Sequence, residues 1–199
     1  LPMQFASVGP GLMFDEPDPM PDLFVEDLVS GIADTGVKAA VLKCAIDEPG
    51  LTPGVERVMR AVAQAHRRTG APITVHTAAH TRSGLVAQQV FAEEGVDLRD
   101  VIIGHSGDCE DLDYLMALAD RGSILGMDRF GIGIALSLEK RVATIARLIS
   151  CGYLSQIALS HDCYCHTNFH PGGVARFHQH DYLTVSHHVL PALRAAGIG

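Results

Sequence analysis

Five short runs of β-prone, mostly apolar residues recur along the chain at intervals of about 30 residues, with helix-patterned stretches between them. The runs are Val37 to Cys44, Ile73 to His76, Val101 to His105, Ser123 to Met127 and Ile157 to Asp162. Between them, Val55, Val58, Met59 and Val62 fall at i, i+3, i+4 and i+7, and so do Val142, Ile145, Ala146 and Ile149. Leu112, Leu115, Met116 and Ala119 mark a further stripe. Strand, helix and strand at this period predict right-handed βαβ units and a parallel sheet, since strands joined by helical crossovers run the same way. The punctuation agrees. Thr52 with Pro53 opens one helix and Gly70 closes it; Ser83 is expected to cap the next and Gly95 to end it. Residues 1 to 22 hold five of the ten prolines and read as a loop, followed by a short amphipathic helix from Leu23 to Ile32. Pro191 to Ala196 reads as the last helical turns.

A doubly wound open sheet and a β/α barrel share this pattern. No glycine-rich phosphate loop follows any run, which disfavours the nucleotide-binding open sheet. The run ends favour the barrel: they deliver Lys43, His76, His105 and Asp162, and residues at the C-terminal ends of several parallel strands meet at one barrel mouth. A hydrophobic content of 47% with 19% charged residues suits one domain over residues 1–199, and no composition shift divides it. A net charge of -8, with no Lys/Arg-rich run, argues against nucleic acid or an anionic membrane as partner. No apolar stretch approaches a membrane span. Five scattered cysteines suggest a reduced, cytoplasmic protein, and eleven histidines direct attention to metal or acid–base chemistry. The first residue is Leu1, so a processed or partial product is expected.

Neutral imidazoles and a carboxylate are suitable ligands for zinc and similar divalent ions. An unmodified lysine is a poor ligand, being protonated near neutral pH. Captured by carbon dioxide, it becomes a carbamate whose two oxygens can bridge two ions. Two bridged ions lower the pKa of a shared water and polarise a carbonyl or phosphoryl oxygen, and an aspartate beside that water could carry its proton to the leaving group.

Several motifs resemble the phosphotriesterase family of the amidohydrolase superfamily. They are Val41-Leu42-Lys43-Cys44-Ala45 with Asp47-Glu48-Pro49-Gly50, Thr74-Val75-His76-Thr77, Ile103-Gly104-His105-Ser106-Gly107-Asp108, Gly126-Met127-Asp128-Arg129-Phe130-Gly131 and Leu159-Ser160-His161-Asp162. The interval from His105 to Asp162 and the Asp-Arg-Phe-Gly run are more similar to its phosphotriesterase-like lactonases. The resemblance implies a TIM-type (β/α)8 barrel, of which the chain supplies about strands 4–8 with their helices. It implies two divalent metal ions (zinc, or cobalt, manganese or iron) bridged by carboxylated Lys43, with His76 and His105 on the more exposed ion and Asp162 on the buried one. Asp162 and Arg129 would be catalytic, Arg129 and Phe169 would shape the substrate pocket, and Asp47 would stand behind the metal ligands. The implied reaction is ring opening of lactones, N-acyl-homoserine lactones above all, by a metal-bridging hydroxide, with promiscuous phosphotriesterase activity. A primary phosphotriesterase (aryldialkylphosphatase) and a truncated non-catalytic barrel fragment are the alternatives. The expected partners are a small-molecule lactone or organophosphate ester and a second copy of the chain, as a homodimer. The family's His-x-His pair on the first strand, and the lactonases' tyrosine at the end of the third, do not occur in this sequence.

Other residues have simpler readings. Lys43 is plausible as an ordinary strand-end lysine only if it reaches solvent, and Arg129 could simply pair with Asp128 or another carboxylate. Cys163, Cys165, His166 and His170 could form a separate zinc site or pack beneath a loop. Glu110, Asp111 and Asp113 suit a helix start, where the dipole favours negative charge.

Overall fold

A computed structural model describes residues 17–132, 135–163 and 182–198. Its sheet has five strands, β1 (Leu42–Ile46), β2 (Ile73–Thr77), β3 (Val101–Gly104), β4 (Ile124–Met127) and β5 (Ile157–Leu159). They lie in sequence order, and every neighbouring pair is parallel. The helices are α1 (Met20–Val29), α2 (Pro53–Thr69), α3 (Ser83–Glu93), α4 (Leu112–Asp120), α5 (Leu138–Ser150) and α6 (Leu190–Ala195), the last continuing a π-helical stretch, Val185–Val189. The chain thus supplies five consecutive units of the (β/α)8 barrel type, as its periodicity predicts.

Period-2 alternation along the strands separates two faces. Leu42, Cys44, Ile46, Ile73, Val75, Val101, Ile103, Leu125 and Met127 are buried in one core with Met59, Val62, Phe91, Leu115, Leu118, Ile145 and Leu148 of the helices. The intervening residues, Lys43, Ala45, Thr74, His76 and Ile102, are less buried and belong to the opposite face. Thr52 caps α2 through its side chain, and Gly70 closes that helix in the left-handed conformation, as the sequence predicts. Asp111 caps α4 by accepting from the Tyr114 N–H.

Several boundaries differ from expectation. The first strand is Leu42–Ile46 rather than Val37 to Cys44, because pairing with β2 begins at Leu42 opposite Ile73. Upstream, the backbone turns to α1 instead: the Ala39 N–H donates to Asp27 O, and the Ile32 N–H to Val37 O. Helix α1 starts at Met20, with Pro21 in its first turn, and Leu23 and Ile32 are exposed. Ser83 lies inside α3 rather than capping it; its hydroxyl accepts from the Ala78 N–H and donates to Ile46 O, tying the β2 exit to β1. The last strand is three residues long, so Asp162 lies beyond it.

Candidate active site

Parallel strands in one sheet put all their C-terminal ends along one edge, and the chemically competent side chains gather there. Gly104 ends β3, and a Cβ at that position would lie 2.8 Å from Val75 O. The next residue, His105, is 4% exposed and has a left-handed backbone, φ 62°. Asp128, just past β4, fixes it twice: the His105 N–H donates to Asp128 Oδ2 at 2.9 Å, and Nδ1 lies 2.8 Å from Asp128 Oδ1. A carboxylate has no proton to give, so the ring donates through Nδ1–H and leaves the Nε2 lone pair free. Nε2 stands 2.8 Å from His76 Nδ1, with the two rings nearly perpendicular at 79°. The other nitrogen of His76, Nε2, meets Asp47 Oδ2 at 3.3 Å. Both imidazoles therefore turn one nitrogen outward to a carboxylate and the other inward to a common point. Burial first, and then the neighbouring His105, hold His76 below the ordinary histidine pKa. Burial pushes the Asp47 carboxyl up, but the Glu48 N–H and His76 outweigh it and leave Asp47 below its usual value.

Across the cleft, Arg129 (φ 61°) donates through Nη1 to Asp108 Oδ2 at 2.7 Å and through Nε to Asp162 Oδ2 at 3.1 Å. Burial alone would lower its pKa, yet the bonds to Asp108 and Asp162 bring it above the usual guanidinium value. Asp162, also left-handed at φ 52°, has Oδ2 4.0 Å from His105 Nδ1. Asp47, Glu48, His76, Thr77, His80, Asp108 and Arg129 are among the residues lining the resulting cleft of about 450 Å³.

The structure brings together His76, His105, Asp162, Arg129 and Asp47 among the residues predicted from sequence. Arg129 pairs with Asp108 and Asp162, while its neighbour Asp128 serves His105. Lys43 lies opposite Thr74, two residues before the His76 row, and is exposed, which meets the requirement of an ordinary lysine. Its ammonium makes no hydrogen bond or ion pair among the described residues. Phe169 lies outside the described residues, as do Cys165, His166 and His170 of the alternative zinc site; Cys163 is half-buried, and its backbone oxygen accepts from the Tyr182 hydroxyl at 3.2 Å. Asp108 and Asp128 stand inside the motifs quoted from the sequence, where nothing local shows that they serve Arg129 and His105 respectively.

The inward nitrogens of His76 and His105 are of the type that ligates a divalent ion such as zinc, and at 2.8 Å they meet each other as hydrogen-bond partners, with one ring's N–H donating to the other's lone pair. Among the described residues no group of three His, Cys, Asp or Glu side chains is assembled to hold an ion, so these two histidines fit as part of a site.

Comparison with known proteins gives one family match: the pattern of the phosphotriesterase family fits residues 3–199. A phosphotriesterase homology protein of Mycobacterium tuberculosis (strain H37Rv) is 52% identical over 201 aligned residues, covering 100% of this chain and 61% of that protein. The solved structure of the phosphotriesterase from Mycobacterium tuberculosis superposes with a TM-score of 0.91 at 51% identity, over 100% of this chain and 62% of its own. A structure described as engineered for organophosphate hydrolysis from a weak promiscuous lactonase template gives a TM-score of 0.81 at 27% identity, over 90% of this chain and 58% of its own. The chain spans about three fifths of the length of the curated Mycobacterium relative.

Proposed function

The chain belongs to the phosphotriesterase family, and on that premise we propose that the protein is a metal-dependent hydrolase that opens lactones, N-acyl-homoserine lactones foremost, with weaker action on phosphotriesters. The observation that carries this reading is the pair of inward-facing nitrogens, His76 Nδ1 and His105 Nε2, 2.8 Å apart at the strand ends. Likeness to a structure built on a lactonase template supports the lactone side.

His76, His105, Asp162 and Lys43, once carboxylated, would together hold two divalent ions. Such ions supply Lewis acidity toward a carbonyl oxygen and a lowered pKa for water. Asp162, steadied by Arg129, takes the proton of the attacking water and returns it to the ring oxygen as the acyl C–O bond breaks. Arg129 also presents a cation to the cleft, where charge develops on the oxygen of the tetrahedral centre. A tetrahedral phosphoryl centre makes similar demands, which accounts for the promiscuous activity. A homodimer in the cytoplasm is the proposed state; no described helix is long and apolar enough to cross a membrane.

The test is turnover by purified protein loaded with zinc, cobalt or manganese. Higher kcat/KM for N-acyl-homoserine lactones than for paraoxon-like esters is the expected result. The reverse order would favour a primary phosphotriesterase, a reading supported by the similarity to the Mycobacterium phosphotriesterase structure. In the same preparations, Lys43→Ala is expected to lose most bound metal, with partial recovery on adding a short carboxylate; unchanged metal content would remove the bridging role.

A further inference from the structure

Arg141 stands in the first turn of α5, in a run Glu139-Lys140-Arg141 that reads as solvated charge. It is nevertheless only 3% exposed. Its Nη1 donates to Gly107 O at 2.7 Å and to Asp128 O at 3.1 Å, its Nη2 to Asp108 Oδ1 at 2.7 Å, and its Nε to Leu136 O at 3.3 Å. Gly107 leaves room for this approach, since a Cβ there would lie 3.3 Å from Arg141 Nη1. A buried cation is tolerated only when its donors are met, and here the fork is spread over two separate loops.

Those loops carry the reactive side chains. Asp108 offers one oxygen to Arg141 and the other to Arg129, which holds Asp162. Asp128 gives its backbone oxygen to Arg141 and its carboxylate to His105, which faces His76. One guanidinium thus stands behind both arms of the site. We propose that Arg141 is a positioning residue that sets the His105 tautomer and ring orientation through Asp128 and the reach of Arg129 toward Asp162 through Asp108. A lysine carries the charge but not the planar fork, so it cannot hold both loops at once. The activity readout for this inference rests on the hydrolase reading; the spectroscopic one does not.

The experiment compares the wild-type protein with Arg141→Gln, Arg141→Lys and Arg141→Ala, each checked for folding by circular dichroism. Nitrogen-15 NMR of the His105 ring reads the bond to Asp128 directly. The wild type should show a slowly exchanging Nδ1–H that Arg141→Gln loses or broadens. The metal-loaded variant should lose about 10–100-fold in kcat, the range usual for partners that orient metal ligands, with little change in KM. Guanidinium ion at millimolar concentration should restore part of the Arg141→Ala loss. If Arg141→Gln does not fold, Arg141→Lys carries the test, with a shifted His105 signal and reduced kcat expected. A folded variant whose His105 signal and kcat match the wild type, even with a lowered melting temperature, overturns the inference. Loss of the signal in a protein whose wild type opens no lactone or phosphotriester supports the inference and sinks the hydrolase reading.

Discussion

At Gly104 the space for a side chain is already taken. A methyl group would come within 2.8 Å of Val75 O, a backbone atom that cannot swing aside, while Gly104 O accepts the Thr77 hydroxyl at 2.7 Å. Gly104→Ala should therefore push β3 from β2 and move His105 with it. The expected cost is about 1–3 kcal/mol in denaturant unfolding, with a fall in kcat beyond what the lost folded fraction explains. Unchanged stability would show that the strands yield more easily than this packing allows. His76 and His105 were legible in sequence because each ends a recognisable strand. Arg141 was not, because what buries it is contact with Asp108 and Gly107, 33 and 34 residues away. No local pattern distinguishes such an arginine from a surface one.

Helix α1 is joined to α2 by ion pairs as well as by packing of Met20, Phe24, Val25 and Leu28 on the core. Asp18, just before it, receives Arg57 Nε at 2.6 Å and Nη2 at 2.9 Å, a two-pronged grip on α2, and Asp22 receives Arg68 at 2.6 Å. The bond from Arg57 holds the Asp18 carboxyl below its ordinary pKa. A carboxyl whose folded pKa is depressed stabilises the fold above its unfolded pKa of about 3.9 and loses that contribution as pH falls through the lower folded value. Asp18→Asn should then cost about 1 kcal/mol at pH 7, and the gap to wild type should close as pH falls below about 4. Chemical denaturation at a series of pH values checks this; a gap independent of pH would rule out the ionic origin. Helix α2 was legible from Thr52, Pro53 and Gly70, whose signals are local. The start of β1 was not, since the exposed Val37 and Val41 are β-prone, yet only register against β2 decides where pairing begins.

At the scale of the whole sheet, the parallel order of the strands and the placement of His76, His105, Arg129 and Asp162 along one edge follow from the period and polarity of the sequence. The links between strand ends do not, because Asp128 reaches back 23 residues to His105 and Arg129 reaches 33 forward to Asp162. Two cysteines provide a reporter of global opening. Cys44 in β1 is fully buried, with its thiol pushed up to about 12 by burial, whereas Cys151 after α5 is exposed. Thiol alkylation read by peptide mass should modify Cys151 promptly and Cys44 only when the sheet unfolds, so its rate measures the opening free energy. Prompt labelling of Cys44 in the native protein would mean that β1 opens locally.

Three consecutive strands end in a turn through left-handed backbone at His105, Arg129 and Asp162, none of them glycine. Such a conformation costs a residue with a Cβ about 1–2 kcal/mol, so the rim withholds a few kcal/mol from the stability of the fold. Glycine at any of the three would relax the backbone and remove, in the same step, a side chain that the proposed chemistry uses. Heat tolerance and turnover therefore make opposing demands at these positions. Under the proposed chemistry, a lineage drifting free of it would have its easiest route to a sturdier fold through these same three residues.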